Sequence, residues 1–262
     1  AASTAEAAPP RDPPQLIGTL GRLRVAPGDT LDTLAQRHRL GFDALSAANP
    51  HVDRWTPAPG TTLILPTAHI VPWQHHGDLV VNLAERRLYL RGDTGQVASW
   101  PVGIGHPAHP TPLMVARITE KRRNPVWHPT PAHRRDRPEL PAAVPPGPDN
   151  PLGQFALRLG WTDYAIHATN DTAGVGRAVS RGCLRLYPEH MAQLFAQSRV
   201  GQTVQVIDER IKAGHRGGVW YVEVHPRRTA AIARASPRAS APASPRRTVQ
   251  RALAAAGTPD AA

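Results

Sequence analysis

Cysteine is almost missing: Cys183 is the only one in 262 residues. No intramolecular disulfide can form, so the fold must rest on ordinary burial and the thiol stays free. Lysine is scarce as well, with Lys121 and Lys212 alone, so arginine carries the positive charge. Aromatic residues make up only 5%. No run of about 18 apolar residues occurs, and no segment therefore reads as a membrane-spanning helix. An initiator Met is also lacking. The opening Ala-Ala-Ser-Thr-Ala-Glu reads as a mature terminus left by signal removal, which makes export the expectation.

What the chain does have is proline, 29 residues of it, and a net charge of +11 from 31 basic and 20 acidic residues. The charge is uneven. From His225 to Ala262 there are seven arginines and one aspartate, so +6 lies in the tail. Built from Ala, Pro, Ser and Arg without hydrophobic periodicity, residues 227–262 are expected to be disordered. Attachment to a polyanion and a merely solvated tail shaped by coding bias both fit that composition. No segment of the rest resembles a reading helix or an aromatic RNA platform, so nucleic acid is not an expected partner.

The N-terminal residues 1–21 read as a flexible lead rich in Pro and Ala. Leu23-Arg24-Val25 is a short strand, and Pro27-Gly28-Asp29-Thr30 a turn that ends in a helix cap. Leu31, Leu34, Ala35 and His38 follow at the spacing of one helical face. A second helix over Phe42 to Ala48 ends at Asn49-Pro50, and Thr62 to Leu65 is a second strand. This βααβ unit resembles a LysM module: Val25-Ala-Pro-Gly-Asp-Thr-Leu31 matches the family's opening, and Ala48-Asn-Pro50 with Pro59-Gly-Thr-Thr-Leu-Ile-Leu-Pro66 matches its close. The resemblance covers residues 22–66 and implies binding of N-acetylglucosamine-containing glycans such as peptidoglycan.

From Gly77 the texture becomes β-rich. Asp78 to Leu83 and Arg87 to Leu90 form a hairpin, Val97 to Ile104 a further strand, and Gln154 to Leu159, Tyr164 to His167 and Thr203 to Ile207 three more. Pro188 to Gln197 is a helix with Pro at its first turn and Met191, Leu194 and Phe195 on one face. Long proline-studded loops over 106–112 and 124–150 fit a functional role. A parallel dinucleotide-binding sheet is excluded by the scarcity of helices.

Cys183 sits in Ser180-Arg-Gly-Cys-Leu-Arg-Leu186, and Ile166-His167 stands sixteen positions upstream. A thiol needs a nearby base to become a thiolate, and imidazole is the usual one. Gly182 lets a substrate carbonyl approach the backbone N–H groups there, each contributing about 3 kcal/mol to an oxyanion. Taken with Thr169-Asn170, Gly174, Gly176, Thr111-Pro112, Asn124-Pro-Val-Trp127 and Pro148-Asp-Asn150-Pro151, these motifs resemble the YkuD-like L,D-transpeptidase family. The arrangement looks closest to periplasmic enzymes of Gram-negative bacteria that join outer-membrane lipoprotein to peptidoglycan.

The resemblance implies an α+β, β-rich fold class: the LysM module, then a mixed β-sandwich catalytic domain over 77–208, with an extension over 209–226 packed on it. It implies acyl transfer from the meso-diaminopimelate–D-alanine bond of a tetrapeptide stem to an amine, through a Cys183 thioester, with no cofactor. His167 is the implied base, oriented near Ala168, and Gly182 the implied oxyanion position. Many relatives have His where this chain has Arg181. Arg181 cannot act as a base but can favour the thiolate or hold a stem carboxylate, and Arg185 can reach the same substrate if it shares a strand face with Cys183. Thr169, Asn170, Asn150, Ser180 and Trp127 complete the expected substrate contacts; for Asn150 and Ser180, pinning loop backbone is the equal alternative. Trp127, His128 and Trp161 can line a groove or fill core. His75-His76 and His106/His109 lack acidic or thiol partners at ligand spacing, so no metal site is expected. A lipoprotein lysine, a β-barrel protein's N-terminus and a second stem peptide all remain open as acceptor. So do water as acceptor and an inactive wall-binding protein.

Overall fold

The computed structural model describes residues 15–72, 77–92, 94–160 and 162–226. The expected tail disorder, most of the N-terminal lead, His75-His76 and Trp161 lie outside the described residues. Along the chain run β1 (Leu16–Ile17), β2 (Gly21–Arg24), α1 (Leu31–Arg37), α2 (Phe42–Ala48), β3 (Thr62–Leu65), β4 (His69–Ile70), β5 (Leu79–Asn82), β6 (Arg87–Arg91), β7 (Val97–Pro101), β8 (Ile104–Gly105) and β9 (Met114–Arg123). Then come α3 (Pro131–Asp136), β10 (Phe155–Leu159), β11 (Ala165–His167), β12 (Ala178–Ser180), β13 (Leu184–Arg185), α4 (Pro188–Gln197), β14 (Thr203–Ile207), β15 (Ile211–Arg216) and β16 (Val219–Val224).

The first unit forms for local reasons. Thr30 caps α1 by accepting from the Thr33 N–H at 3.0 Å, and Thr33 returns a bond to the Thr30 amide. Asn49 staples α2 to β3: its Nδ2 donates to Leu45 O and Ile64 O, and its Oδ1 accepts from the Ile64 amide. Antiparallel β2 and β3 close over a core of Val25, Leu31, Leu34, Ala35, Leu40, Phe42, Leu45 and Leu63. Each large apolar side chain buried there contributes about 1.5–3 kcal/mol. His38 departs from the expected stripe. The helix stops at Arg37 and Arg39 turns to φ 54°, so Leu40 rather than His38 reaches the core.

The second unit is one eight-stranded sheet in the order β13-β11-β10-β9-β14-β5-β6-β7. Its two ends meet where Gly103 and Arg185 exchange backbone hydrogen bonds of 2.8 and 2.9 Å, so the sheet curls around a single core. Strands from both ends share that core, among them Leu79, Leu88, Trp100, Leu157, Ile166 and Leu184, with Met191 and Leu194 of α4 packed in. The expected strand over 97–104 is broken in two because Gly103 leaves β7 to pair with Arg185. Leu16 and Ile17, expected to belong to a flexible lead, instead pair with Ile70 and His69. Both side chains are half-buried, and that burial, with Ile17 packed on Val71, Val80 and Tyr89, orders them.

The two units touch through the segment that leads into the Cys183 loop. Arg177 pairs with Asp32 and lies 3.6 Å over the Phe42 ring. Thr172 Oγ1 donates to Gln36 Oε1 at 2.7 Å, and buried Tyr187 donates to Leu40 O at 2.9 Å. A Cβ on Gly176 (φ 76°) would stand 2.3 Å from Gly41 Cα, so that contact requires glycine. Residues 211–224 form the antiparallel hairpin β15–β16. Its buried Lys212 donates to both Glu85 oxygens at 2.8 Å, to Ile70 O at 2.6 Å and to Tyr89 Oη at 3.1 Å, and it pairs with Glu223 at 3.0 Å. Among the described residues no helix is long and apolar enough to cross a membrane.

Candidate active site

Strand pairing builds the site. β11 and β13 run parallel with Ile166 opposite Leu184 and His167 opposite Arg185. Side chains alternate along strands, so His167 and Arg185 share one face while Ile166, Leu184 and Leu186 share the other. The second set enters the core. The first set, with Cys183 two residues before Arg185, lines a cavity of about 1040 Å³. Its walls include Arg158 and Tyr164 on one side and Trp127 and His133 from the 124–150 loop, with Pro151 just after it, on another.

His167 is buried, and Ala168 O accepts from its Nδ1 at 2.5 Å. A carbonyl can only accept, so Nδ1 carries the hydrogen and Nε2 keeps a free lone pair. Burial, only partly opposed by the Ala168 hydrogen bond and reinforced by the Arg185 charge, lowers its pKa to about 4. The imidazole is therefore neutral at pH 7 and able to take a proton. Cys183 is half-buried and leans its Sγ toward Asp163 O at 3.8 Å. Burial pushes the thiol up, against opposing influences from the Ala165 backbone and the Arg185 guanidinium. The resting pair is thus a neutral thiol and a neutral imidazole. Thiolate formation needs substrate to arrive.

The loop before Cys183 is pinned from several sides. Ser180 Oγ donates to Cys183 O at 2.6 Å and accepts from the Gly182 amide at 3.1 Å. Thr111 Oγ1 donates to Gly182 O and accepts from the Gly105 amide, both at 2.9 Å. Gly182 has φ 104°, and a Cβ there would lie 2.5 Å from Tyr164 Cε1. These contacts bear on two of the expected site residues. The Gly182 N–H is engaged by Ser180, while the Cys183 N–H meets no acceptor among the described residues. Ser180 lines the cavity and also pins the backbone of the loop.

Other expected contacts divide in the same way. Asn150 is fully buried, donates to Pro125 O, Val144 O and Pro145 O, and accepts from the Leu152 amide, so it holds the 124–150 loop and offers nothing to a substrate. Thr169 closes a turn with Asp171, while Asn170 is exposed at the cavity rim. Trp127 lines the cavity with its ring edge-on to His133 at 5.4 Å. Arg181 does not approach the thiol as its influence on the thiolate would require: it pairs with Asp136 of α3 and meets His109 Nε2 at 3.3 Å. Arg185 takes that role, with a buried Nε that has no partner. Tyr164, Asp136 and His133 escaped the sequence reading. The glycine at 182 marks a close approach that Tyr164 fills, but Asp136 carries no local signal.

His69, Glu85 and Glu223 bring potential metal-ligating atoms within 4.8 Å of one another. Lys212 Nζ stands among them and supplies the positive charge the two carboxylates require. Burial, partly offset by the hydrogen bond and charge of Glu223, lowers the His69 pKa to about 4.

A curled sheet that presents a thiol, an imidazole and a guanidinium on one wall of a large cavity is the architecture of an enzyme. A family model described as the L,D-transpeptidase catalytic domain, YkuD, matches residues 76–206, and a LysM domain model matches residues 23–66. The chain belongs to the YkuD family of L,D-transpeptidases and carries a LysM domain ahead of the catalytic one. It is 39% identical over 226 residues to the probable L,D-transpeptidase YbiS of Escherichia coli (strain K12), covering 82% of this chain and 73% of that one. Against the probable L,D-transpeptidase ErfK/SrfK of Salmonella typhimurium (strain LT2) it is 38% identical over 225 residues, covering 82% and 72%. The solved catalytic domain of an E. faecium L,D-transpeptidase is 22% identical with a TM-score of 0.40, covering 50% of this chain and 97% of that one.

Proposed function

We propose that this protein is an exported peptidoglycan L,D-transpeptidase that works in the periplasm, with Cys183 as nucleophile and His167 as general base. The observation that carries this reading is the parallel pairing of β11 with β13, which turns His167, Cys183 and Arg185 to one cavity wall. Sγ rotates from Asp163 O toward Nε2 as substrate enters, and His167 takes the thiol proton. The thiolate attacks the carbonyl on the L-centre of meso-diaminopimelate in a tetrapeptide stem. His167 returns the proton to the departing amine, D-alanine leaves, and a thioester remains on Cys183. An acceptor amine then gives a proton to His167 and attacks the thioester; the C–S bond breaks, His167 returns the proton to Sγ, and one amide has replaced another with no cofactor needed.

The Cys183 N–H supports the oxyanion, and Arg185 balances negative charge as it develops. Residues 22–66 hold the glycan, 77–208 perform the transfer, and 209–226 buttress the sheet. The acceptor is an amine on an outer-membrane lipoprotein, a β-barrel protein or a second stem. Intact-mass measurement after exposure to a carbapenem tests the nucleophile: the wild-type chain gains one covalent adduct and Cys183→Ala gains none. Absence of an adduct on wild type favours a wall-binding protein without activity.

A further inference from the structure

Helix α3 contributes Pro131, Ala132, His133 and Arg135 to the cavity wall as a lid, yet it has no buried residue, so packing does not hold it there. Its own loop is braced internally: Thr130 caps it through His133, Arg134 reaches Ala142 O at 3.1 Å, and Trp127 and Val144 exchange backbone bonds of 2.9 and 2.8 Å. The tie to the Cys183 loop is the ion pair between Asp136 and Arg181. Asp136 is 58% exposed there, and exposed pairs of this kind contribute little to stability.

Around that pair basic side chains crowd together. His133 is held below its ordinary pKa by burial first and then by the charges of Arg181, Arg137, Arg185 and His109. Arg181 and His109 are in direct contact, and all five line the cavity. Asp136 is the carboxylate that pairs with any of them among the described residues. A guanidinium that pairs with an aspartate can pair with a peptide's terminal carboxylate by the same charge-assisted hydrogen bonds.

We propose that Arg181, with His109 and His133 beside it, is a carboxylate-binding site at the cavity mouth, and that Asp136 plugs it until a substrate carboxylate takes its place. The proposal rests on the transpeptidase reading only for the source of the carboxylate, a peptide stem. Arg181 is then a binding residue in its own right, and the lid is held by a surrogate of the ligand. Substrate entry exchanges one carboxylate for another, which releases α3 without any change in the charge at Arg181.

Binding to the 262-residue chain carrying Cys183→Ala, followed by calorimetry, separates this idea from the chemistry. Two probes serve: a tetrapeptide stem with free carboxylates and the same stem with its carboxylates amidated. Asp136→Asn on that background is expected to tighten binding of the acid stem about tenfold, by removing an internal competitor, and to leave the amidated stem unchanged. Arg181→Gln is expected to weaken the acid stem and to cancel the gain when combined with Asp136→Asn. An unchanged or weaker acid stem in Asp136→Asn overturns the plug, as does equal tightening of both stems, which signals simple lid opening. Failure of the transpeptidase reading is seen elsewhere, as a wild-type chain that never turns the stem over.

Discussion

Two charged regions of this molecule are built on opposite terms. Around Lys212 every charge is answered from within the chain: the ammonium meets Glu85, Glu223, Ile70 O and Tyr89 Oη, and His225 Nε2 reaches Glu223 at 2.8 Å. Around Cys183 fewer groups are answered, with a buried, unpartnered Arg185 Nε, a Cys183 amide that meets no acceptor among the described residues, and Arg181 paired only with the exposed Asp136. Buried charge costs several kcal/mol unless it is paired. A closed network therefore joins β4, β5, β6, β15 and β16, while an open one marks where a ligand supplies the missing partner.

The comparison breaks most sharply at His167. His167→Ala is expected to slow acylation of Cys183 by about a thousandfold, read as stem turnover, while the urea midpoint moves far less. Lys212→Met reverses the pattern. It strands Glu85 and Glu223 without their cation, and should cost about 3–5 kcal/mol in urea unfolding while the folded fraction keeps its acylation rate. Arg185→Gln should lower kcat/KM about tenfold to a hundredfold and change stability by less than about 1 kcal/mol, since no ion pair is lost.

A smaller effect, in pH, is shared by both regions. His69, His167 and His190 are each held near a pKa of about 4 by burial, against 6.5 for the ordinary side chain. The native state keeps them neutral while the unfolded chain takes up protons. Their contribution to stability is full above about pH 6.5 and is lost as pH falls toward 4. The acid limb of the rate profile should follow His167 and lie near 4, well below the limb of an exposed imidazole.

Local pattern was enough for much of the fold. The period of Phe42 to Ala48, the alternation in Thr62 to Leu65 and the Pro-led stripe of Pro188 to Gln197 each coincide with an observed element. The two helices carry their own periodicity, and the strand pairs with Gly21–Arg24 inside the same small unit. The motif around Cys183 was legible for the same reason, since Ser180, Gly182 and Cys183 contact one another within four residues. What depended on distant partners was not. Lys212 meets Ile70, Glu85 and Tyr89, 123 to 142 residues earlier. The break in the 97–104 strand depends on Arg185, and the role of Arg181 depends on Asp136. Asn150 carried a motif match, yet its amide turned out to be engaged by three carbonyls that no spacing rule connects.

The central claim is that the open region is where the thiol acts, and one measurement reaches it directly. The wild-type chain and Cys183→Ala are each mixed with a disaccharide-tetrapeptide, and released D-alanine is followed together with the intact mass of the protein. Wild type should release D-alanine and carry the tripeptide acyl mass, and Cys183→Ala should do neither. Release of D-alanine by Cys183→Ala at the wild-type rate would contradict the account.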